Sequence, residues 1–182
     1  APRDADGATE EGIVDANALR AAWLGLRDTH DFFPMLRKQG ASRRQAFHLA
    51  GADLALRLDP RAGAEALRLA AAREVPVMVF VGNRGAIQIH TGPVRRLHDI
   101  PGWFNVLDPD FNLHLREAGV AAAWRVVKPT EDGAVTSVEL LDAAGEVIAM
   151  LFGARKPGVP EKPEWRAIVA EVAERHAAEA VP

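Results

Sequence analysis

The stretch Val135-Thr136-Ser137-Val138-Glu139-Leu140-Leu141-Asp142-Ala143-Ala144-Gly145-Glu146-Val147-Ile148-Ala149-Met150-Leu151-Phe152 reads as two strands around a tight turn. Val135 to Leu141 and Glu146 to Phe152 are rich in residues that suit a pleated surface, and the Asp-Ala-Ala-Gly turn between them predicts an antiparallel hairpin. Working backwards, Trp124, Val126 and Lys128 share one face of a preceding strand. Phe111, Leu113 and Leu115 alternate with Asn112, His114 and Arg116, again with period two. The run Pro76 to Val81 is continuously apolar and suits a strand covered on both faces. Asn83-Arg84-Gly85 then turns the chain into Ala86 to Thr91, where Ile87 and Ile89 alternate with Gln88 and His90.

Helices flank this strand-rich region. Asp15 is placed to cap a helix carrying Leu19, Trp23 and Leu26 on one face. Pro34 fits the first turn of a second helix, with Thr29 or Asp31 as its cap and Gly40 near its end. Ser42 and Gln45 form a capping-box pair at the head of a third, and a fourth fits Ala62 to Arg73. Pro163 to Ala180 is one amphipathic helix with Trp165, Ile168, Val169 and Val172 on its buried stripe. Helices, then strands on short turns, then a closing helix predict an α+β domain with a large antiparallel sheet. Residues 1–14 are acidic, small and unpatterned and read as a linker or leader, leaving 15–182 as the domain.

Composition narrows the function. The 182 residues are 48% hydrophobic and 26% charged, with a formal net charge of -3, which argues against nonspecific nucleic-acid binding. The absence of cysteine excludes disulfides, thiolate metal sites, iron–sulfur clusters and cysteine nucleophiles together. No apolar run approaches a bilayer span, so membrane insertion is not expected and cytoplasm is the default location. There is no phosphate loop and no serine in a nucleophile-elbow context, and the six histidines never pair at the spacing of a helical zinc site. His90 and His114 lie in strands and read as hydrogen-bonded rather than metal-binding. His30, beside Phe32 and Phe33, has two readings: a helix-edge histidine bonded to the backbone, or an axial donor to a flat apolar cofactor.

Three segments, taken together, bear on that choice. The first is Asp28-Thr29-His30-Asp31-Phe32-Phe33 with Ser42-Arg43-Arg44-Gln45-Ala46-Phe47. The second is Val77-Met78-Val79-Phe80-Val81-Gly82-Asn83-Arg84-Gly85, continuing through Ile87-Gln88-Ile89-His90-Thr91-Gly92-Pro93. The third joins Trp103-Phe104-Asn105-Val106, Phe111-Asn112-Leu113-His114-Leu115, Trp124-Arg125-Val126-Val127-Lys128-Pro129-Thr130 and Phe152-Gly153-Ala154-Arg155-Lys156-Pro157-Gly158. With these segments the chain resembles the hemin-degrading factor (HemS/ChuS-like) family of bacterial haem-utilisation proteins, and specifically the second of its two tandem halves.

The resemblance implies a cytoplasmic protein that receives haem after import, for iron acquisition, with a large antiparallel sheet flanked by helices. His30 falls on the family's proximal haem ligand, Arg43, Lys128 and Arg155 on positions near the propionates or haem edge, and Phe80 on a pocket wall. The chain departs from the family around Met150 and Phe152, near which the family often places a glutamine and a tyrosine. The family's opposite axial side comes from its first half, so this chain is either a domain of a longer protein or a shortened member. The chemistry is consistent: haem is a flat apolar ring with two carboxylates, and needs aromatic walls, an axial donor and cations at one rim. Arginine suits a propionate because its fork engages both carboxylate oxygens.

Two functions follow from the resemblance. One is a haem carrier that passes its cargo to a haem oxygenase and has a haem importer as a further partner. The other is an enzyme that opens the macrocycle with oxygen or peroxide and a reductant, chemistry that leaves little signature in protein residues. A weaker third reading is a regulatory or structural domain without haem, favoured if His30 points into an apolar core.

Overall fold

The structure is a computed structural model, and it describes residues 12–83 and 85–177. Most of the expected leader, residues 1–11, lies outside the described residues, as do Arg84 of the expected turn and residues 178–180 of the expected closing helix.

The chain opens with α1 (Ala16–Leu24), whose first turn is capped by the Asp15 carboxylate through the amides of Asn17 and Ala18. A short 3-10 turn, Thr29–Asp31, leads directly into α2 (Phe32–Lys38). The expected caps need correction here. Asp31 stands at the N-cap of α2 but makes no side-chain cap bond, and Asp28 caps the preceding 3-10 turn instead. The early tight turn explains it, because the first amides of α2 already follow helical backbone. α3 (Arg43–Leu49) begins with the Ser42–Gln45 capping box intact.

Among the described residues, nine strands form two sheets rather than one. The larger has the order β1 (Ala55–Leu58), β7 (Ala122–Lys128), β8 (Val135–Leu141), β9 (Val147–Gly153), β2 (Val77–Gly82) and β3 (Ile87–Gly92), with every neighbouring pair antiparallel. The smaller contains β4 (Leu97–Ile100), β5 (Trp103–Leu107) and β6 (Asn112–Arg116). It buries Phe104, Val106 and Leu115 in the main core while its other face stays largely in solvent.

One face of the large sheet is closed by α4 (Ala62–Ala72) and α5 (Pro163–His176). Val77, Val79, Val138, Leu140, Ala149 and Leu151 meet the buried stripes of these helices, and Trp165, Ile168, Val169 and Val172 lie on the stripe expected of α5. Trp165 packs against the bare backbone of Gly153, where a Cβ would come within 2.6 Å of the indole, and its Nε1 donates to the Thr136 carbonyl at 3.0 Å. The helix ends at His176, and Ala177 instead pairs with Leu58 on the β1 edge.

The opposite face is covered over half its width. Helices α1, α2 and α3 stack Trp23, Phe32 and Phe47 on Trp124 and Val126, above β1, β7 and β8. The Trp23 Nε1 donates to the Val127 carbonyl at 2.9 Å, tying α1 to the end of β7. Among the described residues, no helix covers this face over β9, β2 and β3. The expectation of β2 covered on both faces is therefore wrong: Val77 and Val79 are buried, but Met78 and Phe80 on the other face are only half-buried. The Ile87–Ile89 alternation likewise marks an open face, since both side chains are exposed. Apolar patterning reports that a face is apolar, and leaves open whether the chain itself covers it.

Candidate functional site

The register of the large sheet lines up the side chains of the half-covered face. Ile89, Phe80, Met150, Glu139 and Trp124 pair in succession across β3, β2, β9, β8 and β7. Along that row the face passes from an exposed isoleucine, through half-buried Phe80 and Met150, to fully buried Glu139 and Trp124 under the helices. The next row contains Met78, Phe152 and Ser137. Phe80 meets Phe152 edge to face, with ring centroids 5.4 Å apart. The result is an apolar shelf that ends against the wall of helices α2 and α3.

Cations stand at that wall. Lys128 is buried, because its strand face is the one roofed by α2. Its Nζ lies 2.6 Å from Glu139 Oε1, 4.5 Å above the Phe32 ring and 5.7 Å from that of Phe152. Arg43, from the first turn of α3, reaches down between Phe32 and Phe47 and donates to Glu139 Oε2 at 2.5 Å, leaving its side chain 19% exposed. Ser137 Oγ adds a third bond to Glu139, at 3.0 Å from Oε1.

One carboxylate thus balances two cations, so the buried cluster has a formal excess of one positive charge. Burial alone pushes the Glu139 carboxyl up, but Lys128 and Arg43 outweigh it and hold the group down at about 2. Burial pulls the Lys128 ammonium below its usual range, with Glu139 opposing that and Arg43 adding to it. With a carboxylate oxygen at 2.6 Å, the two groups form an ion pair.

His30 stands on the 3-10 turn, two residues before Phe32 and its two overlying cations. Its side chain is 94% exposed, so it does not point into an apolar core. Its bonding partner is a carboxylate rather than the expected backbone carbonyl: Nδ1 lies 2.6 Å from Asp28 Oδ1, which also accepts the His30 amide at 2.8 Å. Nε2 is left turned to solvent. The two bonds from His30, with a smaller contribution from the charge of Arg155, hold the Asp28 carboxyl below its ordinary range. Phe32 and Phe33 do not enclose the imidazole together, because Phe32 is buried beneath Lys128 while Phe33 is 61% exposed.

Arg155 is placed differently from the other cations. It follows β9, its Nη1 donates to the Val159 carbonyl at 3.2 Å and it lies 3.7 Å from Asp132 Oδ2. It shares no bond with the Lys128–Glu139–Arg43 cluster, and its link to the site is electrostatic, through Asp28. Of the residues singled out in the sequence, Arg43 and Lys128 come together on Glu139, Phe80 joins the shelf beside them, and His30 and Arg155 are related through Asp28. Asp28 and Glu139 were missed. Glu139 and Ser137 were detectable as polar side chains sharing one face of a largely apolar strand, where burial demands a partner.

Chemically, the arrangement offers one ring nitrogen to solvent, an open apolar surface and a preformed positive charge. It suits a flat apolar ligand that carries carboxylates and needs a single axial donor. Among the described residues, no group of three histidine, aspartate or glutamate side chains is disposed to hold a bare metal ion, and no helix is long and apolar enough to cross a membrane.

Comparison with known proteins gives the same direction. Residues 40–172 match the family model described as the haemin-degrading HemS.ChuX domain. The hemin transport protein HemS of Yersinia enterocolitica is 40% identical over 171 residues, covering 94% of this chain and 49% of that protein. Holo-PhuS, a heme-binding protein from Pseudomonas aeruginosa, superposes with a TM-score of 0.87 at 52% identity, over 93% of this chain and 49% of its own. ChuS, an Escherichia coli heme oxygenase, gives 0.84 at 41% identity, over 89% of this chain and 50% of its own. The chain spans about half the length of each of these relatives.

Proposed function

This chain belongs to the haemin-degrading HemS.ChuX domain family, and from that premise we propose that it binds haem as cargo, receiving it after import in the cytoplasm and passing it to a haem oxygenase. The observation that carries the proposal is the His30 side chain, tethered through Nδ1 to Asp28 with Nε2 facing solvent, on the turn that leads into Phe32 and the cations over it. In this reading Nε2 of His30 supplies the axial bond to iron. Phe80, with Phe152 and Met150, lies against the macrocycle. Arg43 offers a propionate its remaining donors, Lys128 adds charge from beneath, and Arg155 acts at the rim and on the Asp28–His30 pair. With Met150 and Phe152 near where the family often places a glutamine and a tyrosine, the shelf donates fewer hydrogen bonds and relies more on apolar contact.

Titration of the chain with ferric haem tests the ligand assignment. The Soret band of the wild type is expected to shift or weaken strongly in His30→Ala, and an unchanged spectrum and affinity would sink the assignment.

The ChuS relative favours a second reading, in which the bound haem is substrate and its ring is opened with oxygen and electrons from a small reductant or a partner. Reductant added in air with catalase present separates the two. A lost Soret band with a bilin-type product and carbon monoxide supports the enzyme. A band that persists with catalase and vanishes only without it marks bleaching by free peroxide, and leaves the carrier.

A further inference from the structure

We propose that Asp28 is the positioning residue of the axial ligand, fixing the tautomer of His30 and donating electron density through it. This deepens the reading of His30 as the iron ligand and rests on it. Capping the 3-10 turn requires only the bond from the His30 amide to Asp28 Oδ1, which any short side-chain acceptor provides. The same oxygen also meets the ring of the same residue, 2.6 Å from Nδ1, and capping does not call for that contact. A carboxylate accepts and never donates when ionised, so Nδ1 carries the hydrogen, and in the neutral ring Nε2 is then the nitrogen with the free lone pair. That is the nitrogen left in solvent, and a lone pair there is what a metal requires. One aspartate therefore fixes the backbone, the rotation and the tautomer of the residue two positions on. The carboxylate also makes the imidazole a stronger donor, which strengthens its bond to iron.

The test adds ferric haem to the 182-residue chain and to Asp28→Ala and Asp28→Asn, with His30→Ala as reference and circular dichroism to confirm folding. Haem affinity and, after reduction, the iron–histidine stretching frequency by resonance Raman are measured. Asp28→Ala is expected to weaken haem binding about tenfold or more and to lower the stretching frequency. Asp28→Asn, which keeps the cap and a neutral acceptor, is expected to give a frequency between Asp28→Ala and wild type. Wild-type affinity and frequency in both variants would overturn the proposal. So would a loss of affinity with an unmoved frequency, because Asp28 would then serve the turn alone. A His30→Ala spectrum identical to wild type would instead remove the ligand reading itself, and this inference with it.

Discussion

A carboxylate without solvent keeps its charge only where other groups replace the water it has lost, and Glu139 has an ammonium, a guanidinium and a hydroxyl in that role. Its partners depend on it equally, since Arg43 and Lys128 would otherwise be two like charges crowded over Phe32. Glu139→Gln should therefore cost about 3 kcal/mol in chemical denaturation, the scale of breaking a buried ion pair by removing one partner. The penalty should depend on pH with a definite sign. Because the folded carboxyl is held at about 2, below its ordinary 4.5, the stability it contributes is complete above about 4.5 and lost as pH falls toward 2. The difference between wild type and variant should shrink across that acid window, and a difference independent of pH would count against the charge as its source. The polar pair in the 135–141 strand was visible in the sequence as an anomaly. Its partners were not, because Arg43 and Lys128 are 96 and 11 positions away and only the fold brings them together.

At the scale of elements, the local signals were strongest where chain neighbours decide the outcome. The Ser42–Gln45 box, the Asp15 cap and the β8–β9 hairpin rest on contacts within a few residues, the stripe of α5 on a local apolar period, and all were readable. Strands β1 and β4, of four residues each, and β5 went unrecognised as strands because none carries a clear alternation of its own. Division into two sheets was hidden for the same reason. The contact between β9 and α5 shows how tightly elements depend on one residue. Gly153 leaves room for Trp165, and a side chain there would press on the indole ring from 2.6 Å. Gly153→Val should destabilise the domain by about 1–3 kcal/mol through overpacking, read from the denaturation midpoint. The face bearing Phe80 and Met150 is opposite, so haem affinity per folded molecule should be retained. A loss of binding without a loss of stability would contradict this separation of the two faces.

At the scale of the fold, among the described residues, the large sheet has one face sealed by α4 and α5 and the other roofed by helices above β1, β7 and β8 alone. This asymmetry was not legible in the sequence, where Pro76 to Val81 looked equally suited to burial on both sides. The candidate site lies where the roof stops. The 3-10 turn bearing His30 is outside both cores, and this governs how fast a ligand can come and go. In the proposed complex, a macrocycle held there would depart by breaking one coordinate bond and sliding off an apolar ledge, without any core element unfolding. Its residence time would then be set by bond strength and surface contact rather than by a lid, and an acceptor could draw it away by touching the exposed rim while the donor stayed fully folded. In the proposed carrier, exposure of His30 favours rapid hand-over as much as capture.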